Sequence, residues 1–202
     1  AHNMAWVKEA SGIQNTSSST CTVTVPAGGF ASGHLLVLGL MTVSSSTPPT
    51  FAVTDTAGNT WTERRLQTIT GSFSKASQFS TVLSSSLSSG NTITVTATGN
   101  SPTRWAVSVQ EFDDTISGYD GGSVNDNGGV AFPTVDSGTF ATTAADNLIV
   151  GTLGLVSSSR TLTPGTGFSA GTKVATTNGT GERAVVMEWQ YVSTADTYVA
   201  DG

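Results

Sequence analysis

The chain has 202 residues, 11% of them charged, with 14 acids against 8 bases and a formal net charge of −6. That length suits one domain or two small ones, and charge this sparse, far below the roughly 25% of an average globular domain, leaves a surface of Ser, Thr and Gly. Nucleic acid is excluded as a partner because no basic footprint exists to displace counterions; Arg64-Arg65 is the only basic pair. Membrane binding through basic residues fails on the same count, and no run reaches the roughly 18 apolar residues of a spanning helix.

Strand signals take up most of the chain. The first set lies at 5–10, 21–25, 34–43, 50–55, 60–69, 77–84, 92–98 and 105–112, and a second at 135–140, 147–155, 171–175, 183–192 and 197–200. Thr22-Val23-Thr24-Val25 and Thr92-Ile93-Thr94-Val95-Thr96 alternate hydroxyl and aliphatic side chains, the period-2 mark of a half-buried strand. Leu35-Leu-Val-Leu-Gly-Leu40 is apolar throughout and reads as a central strand covered on both faces. Asp55-Thr-Ala-Gly58-Asn59 predicts a turn in which Asp caps and Gly takes positive φ. Ser88-Ser-Gly90-Asn91 and Asn178-Gly179 read alike, and Pro48-Pro49 marks a loop. No window shows a capped 3.6-residue apolar period, so no helix longer than about two turns is expected. The stretch 113–130, rich in Gly, Asp and Asn, reads as a connection. Cys21 is alone, so no intrachain disulfide can form, and within a strand it reads as a small buried apolar residue.

The chain nearly repeats itself. Thr24-Val-Pro-Ala-Gly-Gly-Phe-Ala31 reads again as Thr134-Val-Asp-Ser-Gly-Thr-Phe-Ala141, and Leu35–Leu40 as Leu148–Leu153. Thr94-Val-Thr-Ala-Thr-Gly99 matches Thr197-Tyr-Val-Ala-Asp-Gly202. The expected fold is an all-β antiparallel β-sandwich, jelly-roll-like and built from two similar halves, 5–112 and 131–202. The halves are expected to intertwine in a single domain, 1–202, because each alone would leave its central strand poorly covered. The first half continues into Trp105–Phe112, and the second ends without that counterpart. Three fillers are open: the N-terminal strand, a strand from a neighbouring molecule, or more chain beyond Gly202. The N-terminal strand is the expected one, which would put Trp6 in the second half's core. Met4 reads as a natural start, with Ala1-His2-Asn3 an expression remnant; the alternative is that Ala1 follows a removed signal peptide.

The order Gly33-His-Leu-Leu-Val-Leu38, Val53-Thr-Asp-Thr-Ala-Gly-Asn-Thr-Trp61, Ile93-Thr-Val-Thr96 and Trp105-Ala-Val-Ser-Val-Gln-Glu-Phe112 resembles a loose group of jelly-roll domains. They occur in bacteriophage virion proteins and in bacterial surface or secreted proteins. The resemblance implies a structural or recognition role without a shared catalytic site. A virion-surface protein, a capsid decoration or tail-associated module, fits a start at Met4 together with a surface-like composition. Its partners would be copies of itself or other virion proteins.

Chemistry-bearing residues are few. No G-x-S-x-G is present, and His34 has no evident Ser partner, which a nucleophilic serine requires. Glu111 and Glu188 both lie on expected strands and could pair across a groove as in a glycosidase; the competing reading makes each an outward residue of an alternating strand. Asp113, Asp114, Asp120 and Asp126, with Asn125 and Asn127, crowd one connection. Oxygen ligands there suit Ca²⁺, though the spacing is not that of an EF-hand, and a solvated acidic linker is the alternative. Zinc lacks its His and Cys ligands. Trp61, Arg64 and Tyr119 are the candidate ligand-binding residues, an aromatic platform for a glycan; for Trp61 the competing reading is core packing, since Trp is mostly buried. The second functional expectation is therefore a secreted carbohydrate-binding module, and the third a glycoside hydrolase.

Overall fold

The structure, a computed structural model, describes residues 5–69, 71–113, 118–125, 137–177 and 181–201. It is an all-β sandwich, with no helix among those residues. The strands are β1 (Trp6–Gln14), β2 (Thr20–Thr24), β3 (Leu35–Val43), β4 (Thr50–Asp55), β5 (Thr62–Ile69), β6 (Ser74–Val82), β7 (Thr92–Thr98) and β8 (Arg104–Phe112). They are followed by β9 (Phe140–Ala141), β10 (Asn147–Leu155), β11 (Ser169–Ala170), β12 (Val174–Ala175), β13 (Ala184–Val192) and β14 (Thr197–Tyr198). Of the expected 171–175 strand only its end, β12, forms; β11 lies just before the range, and both pair with β13. The part of the expected 135–140 strand up to residue 136 lies outside the described residues.

A five-stranded antiparallel sheet, β1-β8-β3-β6-β5, forms the middle layer. Every residue of β3 is buried, and its alternation sends side chains to two different cores. Leu36, Leu38 and Leu40 join Val107, Val109 and Phe79 against Cys21, Val23, Ile93 and Val95 of the β2-β7-β4 sheet. Leu35 and Val37, with Phe112, meet Leu148, Val150, Met187 and Trp189 of the β10-β13-β11 sheet. Met41 and Ala106 meet Val174 and Val185. The two sheets approach closely at Gly39, where a Cβ would lie 2.6 Å from Thr152 Cγ2.

Among the described residues the two halves share no sheet: every sheet draws its strands from one half, and the central strand gains its second cover by face-to-face packing. Polar contacts stitch the halves at two strands of the middle sheet, β1 and β6. At one, Glu9 Oε2 accepts the Thr172 amide at 2.9 Å, and Asn15 Oδ1 accepts the Thr177 amide at 2.8 Å. At the other, Gln78 Nε2 donates to Val150 O and Thr152 Oγ1, and Arg183 Nε donates to Ser74 Oγ at 2.8 Å.

The N-terminal strand departs from expectation. It runs nine residues and pairs antiparallel with β8 of its own half, Ala10 opposite Val109. Gly12 makes this extension compatible with β2, since a Cβ there would lie 2.5 Å from the Thr22 carbonyl. Among the described residues β10 pairs with β13 alone, so β1 does not occupy the edge that corresponds to β8. Trp6 nevertheless reaches the second half: it stacks on Trp189 with centroids 5.7 Å apart and remains 40% exposed. Its Nε1 donates to Gln110 Oε1 at 2.8 Å.

Candidate functional site

The cationic and aromatic candidates meet because of a bulge in β5. Opposite β6, Glu63 pairs with Phe79 and Arg65 with Gln78, so Arg64 is the extra residue. Neighbouring side chains on a regular strand point to opposite faces, and a bulge breaks that rule. Here it lets both guanidinium groups reach Tyr119, with Cζ 4.8 Å from the ring centroid for Arg64 and 5.3 Å for Arg65. Cation–π attraction holds each of them there. Arg64 Nε also donates to Ser80 Oγ at 2.7 Å. Arg65 donates through Nη1 to the Arg64 carbonyl and through Nη2 to the Gly122 carbonyl. Gly122 is tightly placed: a Cβ would lie 3.0 Å from the Tyr119 hydroxyl and 3.1 Å from Arg65 Nε. Burial raises the Tyr119 phenol above its ordinary pKa, with Arg65 and Arg64 opposing. The Tyr119 side chain remains exposed.

Trp61 does not join this cluster. Its Nε1 donates to Asp55 Oδ2 at 2.8 Å, and its ring packs on the first core. Arg64 and Arg65 instead share the opposite face with Ser80 and Gln78, whose neighbours Val37 and Val150 belong to the second core. Asp55 is the hub of the expected turn: its Oδ1 accepts the Ala57 and Asn59 amides, and Gly58 has φ +75°. Trp61 is therefore a structural residue of that turn.

The acidic connection is divided. Asp113 Oδ1 accepts the Ala5 amide at 2.6 Å, tying β8 to the N-terminus. Asp120 accepts the hydroxyl and amide of Thr143 and the amide of Ala144, and the Thr143 bonds hold its carboxyl below the ordinary value. Asp114 and Asp126 lie outside the described residues. Among the described residues, no three His, Cys, Asp or Glu side chains gather around a cation-sized space.

The two strand glutamates are both buried and face opposite ways. Glu111 shares its face of β8 with Val107 and Val109 of the first core. Its Oε1 accepts the Ala31 amide and lies 2.9 Å from His34 Nδ1. Lys8 Nζ donates to Gly29 O in the same loop. Ser32, the hydroxyl nearest in sequence to His34, is turned to the Leu83 and Ser84 carbonyls. Glu188 points away from its neighbours Met187 and Trp189, which pack on the middle sheet. Its Oε2 accepts the Gly165 amide at 3.1 Å. Burial pushes its pKa up to about 7, helped by the negative charge of Asp201. Among the described residues, Glu111 Oε2 and Glu188 Oε1 have no hydrogen-bond partner. Glu111 and Glu188 thus lie on the outer sides of two sheets packed about 10 Å apart. That exceeds the roughly 5–9.5 Å across which glycosidase carboxylates cooperate, so the two do not meet across one groove; nor is either the outward residue of the competing reading, since both are buried.

Two features escaped the sequence. The His34–Glu111 contact spans 77 positions, and only strand order brings it together. The doubling of arginines at Tyr119 had a weak signal, the adjacent Arg64-Arg65 pair, but the bulge that aligns them leaves no mark in the sequence. The chain matches no known protein family, no curated protein and no solved structure.

Proposed function

We propose that this chain is a non-catalytic β-sandwich module that works by binding and assembly, as a virion-surface protein. The observation that supports this reading best is the placement of Glu111 and Glu188, directed away from each other across two packed sheets. Other polar groups serve architecture: Glu9, Asn15, Gln78 and Arg183 join the halves, while Asp55 organises a turn. Function then rests on surface shape and on contact with like or unlike neighbours. A secreted carbohydrate-binding module is the second reading, favoured by the exposed Tyr119 ring with two arginines against it.

The test combines turnover with context. A panel of glycoside and ester substrates should give no turnover that Glu188→Gln or Glu111→Gln abolishes, in variants that retain the native circular dichroism. Capsid or tail genes beside the coding sequence would support the first reading, and fusion to a hydrolase the second. Turnover lost in either variant would overturn both.

A further inference from the structure

We infer that Arg64, Arg65 and Tyr119 form a binding site for an acidic sugar, with Arg64 holding the carboxylate and the exposed part of the Tyr119 ring meeting the sugar's C–H face. This rests on the recognition reading above and assigns its ligand class.

Charge supplies the first argument. The β5 bulge gathers two cations on one ring, and their mutual repulsion opposes that arrangement. In a chain with net charge −6, a carboxylate partner would be the ordinary solution. Among the described residues, neither arginine has a carboxylate within ion-pair distance. A bound anion would offset the repulsion.

Donor geometry supplies the second. Arg65 is fixed by two carbonyls through Nη1 and Nη2, which makes it scaffold and background charge. Arg64 is anchored by Nε to Ser80 and by its stack on Tyr119. Its two Nη groups have no hydrogen-bond partner among the described residues. An anchored, stacked guanidinium with a free planar edge matches a carboxylate bidentately and loses little entropy on binding.

The third argument selects among anions. An exposed aromatic beside the cations favours a ligand with an apolar face as well as a charge. Of the other described basic side chains, all but Arg160 are engaged with carbonyl or hydroxyl oxygens elsewhere. A long polyanion would find no second adjacent pair of cations and would meet a chain of net charge −6. One charged sugar needs only this site.

The test is calorimetric titration of the full chain with trigalacturonate and 3′-sialyllactose, against neutral galactotriose and lactose, and against sodium acetate. The acidic sugars should bind, with the neutral sugars and acetate at least about tenfold weaker, as expected when one charge-assisted contact or the aromatic contact is lost. Arg64→Gln and Tyr119→Ala should each weaken the acidic sugars by about tenfold or more while leaving the melting temperature in place. Equal binding of neutral and acidic sugars, or of acetate, would overturn the inference, as would indifference to Arg64→Gln in a folded variant. Neutral sugars binding independently of Arg64 would leave the carbohydrate reading standing without this site. Absence of binding by any sugar, with self-assembly intact, would remove both and leave the structural role.

Discussion

Glu188 makes stability depend on pH in a direction opposite to that of most carboxylates. Its folded-state pKa is raised from the ordinary 4.5 to about 7. The folded chain therefore keeps a proton that the unfolded chain has released between those values. The stabilising contribution is fully present below about 4.5 and is lost as pH rises through about 7. At roughly 1.4 kcal/mol per decade, that interval amounts to about 3 kcal/mol. Glu188→Gln keeps an acceptor for the Gly165 amide and removes the ionisation. Urea unfolding of both proteins from pH 5 to pH 8 should show the variant gaining about 2.5 kcal/mol on the parent over that range, the rest of the interval falling below pH 5. Use of the difference cancels the other titrating groups. A difference constant within about 0.5 kcal/mol would refute the argument that burial and Asp201 keep Glu188 protonated.

Leu36→Ala should cost about 2–5 kcal/mol in urea unfolding, against about 0.5 kcal/mol at the exposed Leu66. Gly39→Ala should cost about 1–3 kcal/mol by driving a methyl into Thr152 and Met187, and Thr152→Ala in the same chain should recover part of that loss in a double-mutant cycle. Glu9→Ala should destabilise by about 1 kcal/mol. Burial raises the Glu9 pKa, but hydrogen bonds from Thr172 and Gln110 outweigh it and hold the group below its ordinary value. Its contribution should thus be present above the ordinary carboxylate range and fade as acid titrates it, seen as converging melting temperatures of parent and variant at low pH. Deleting residues 1–10 removes half of the β1–β8 ladder and the Trp6–Trp189 stack, and aggregation in light scattering is the expected result.

The sequence alone determined the all-β class and the places of most strands. The runs 50–55, 92–98 and 147–155 coincide with β4, β7 and β10, because alternation and turn residues are local signals. It also showed that β3 is covered on both faces, since a fully apolar strand has no face suited to water. It did not show what supplies the second cover, and stacked halves satisfy the same pattern as intertwined ones. Tertiary structure alone decided three other matters: β1 on β8, Glu111 beside His34 and away from Glu188, and both arginines on Tyr119 with Trp61 on the opposite face. Each depends on strand order or on register, and a single extra residue in β5 re-aims a side chain. Such choices are settled by contacts between residues far apart in the chain, where the local periodicity of a sequence carries no information.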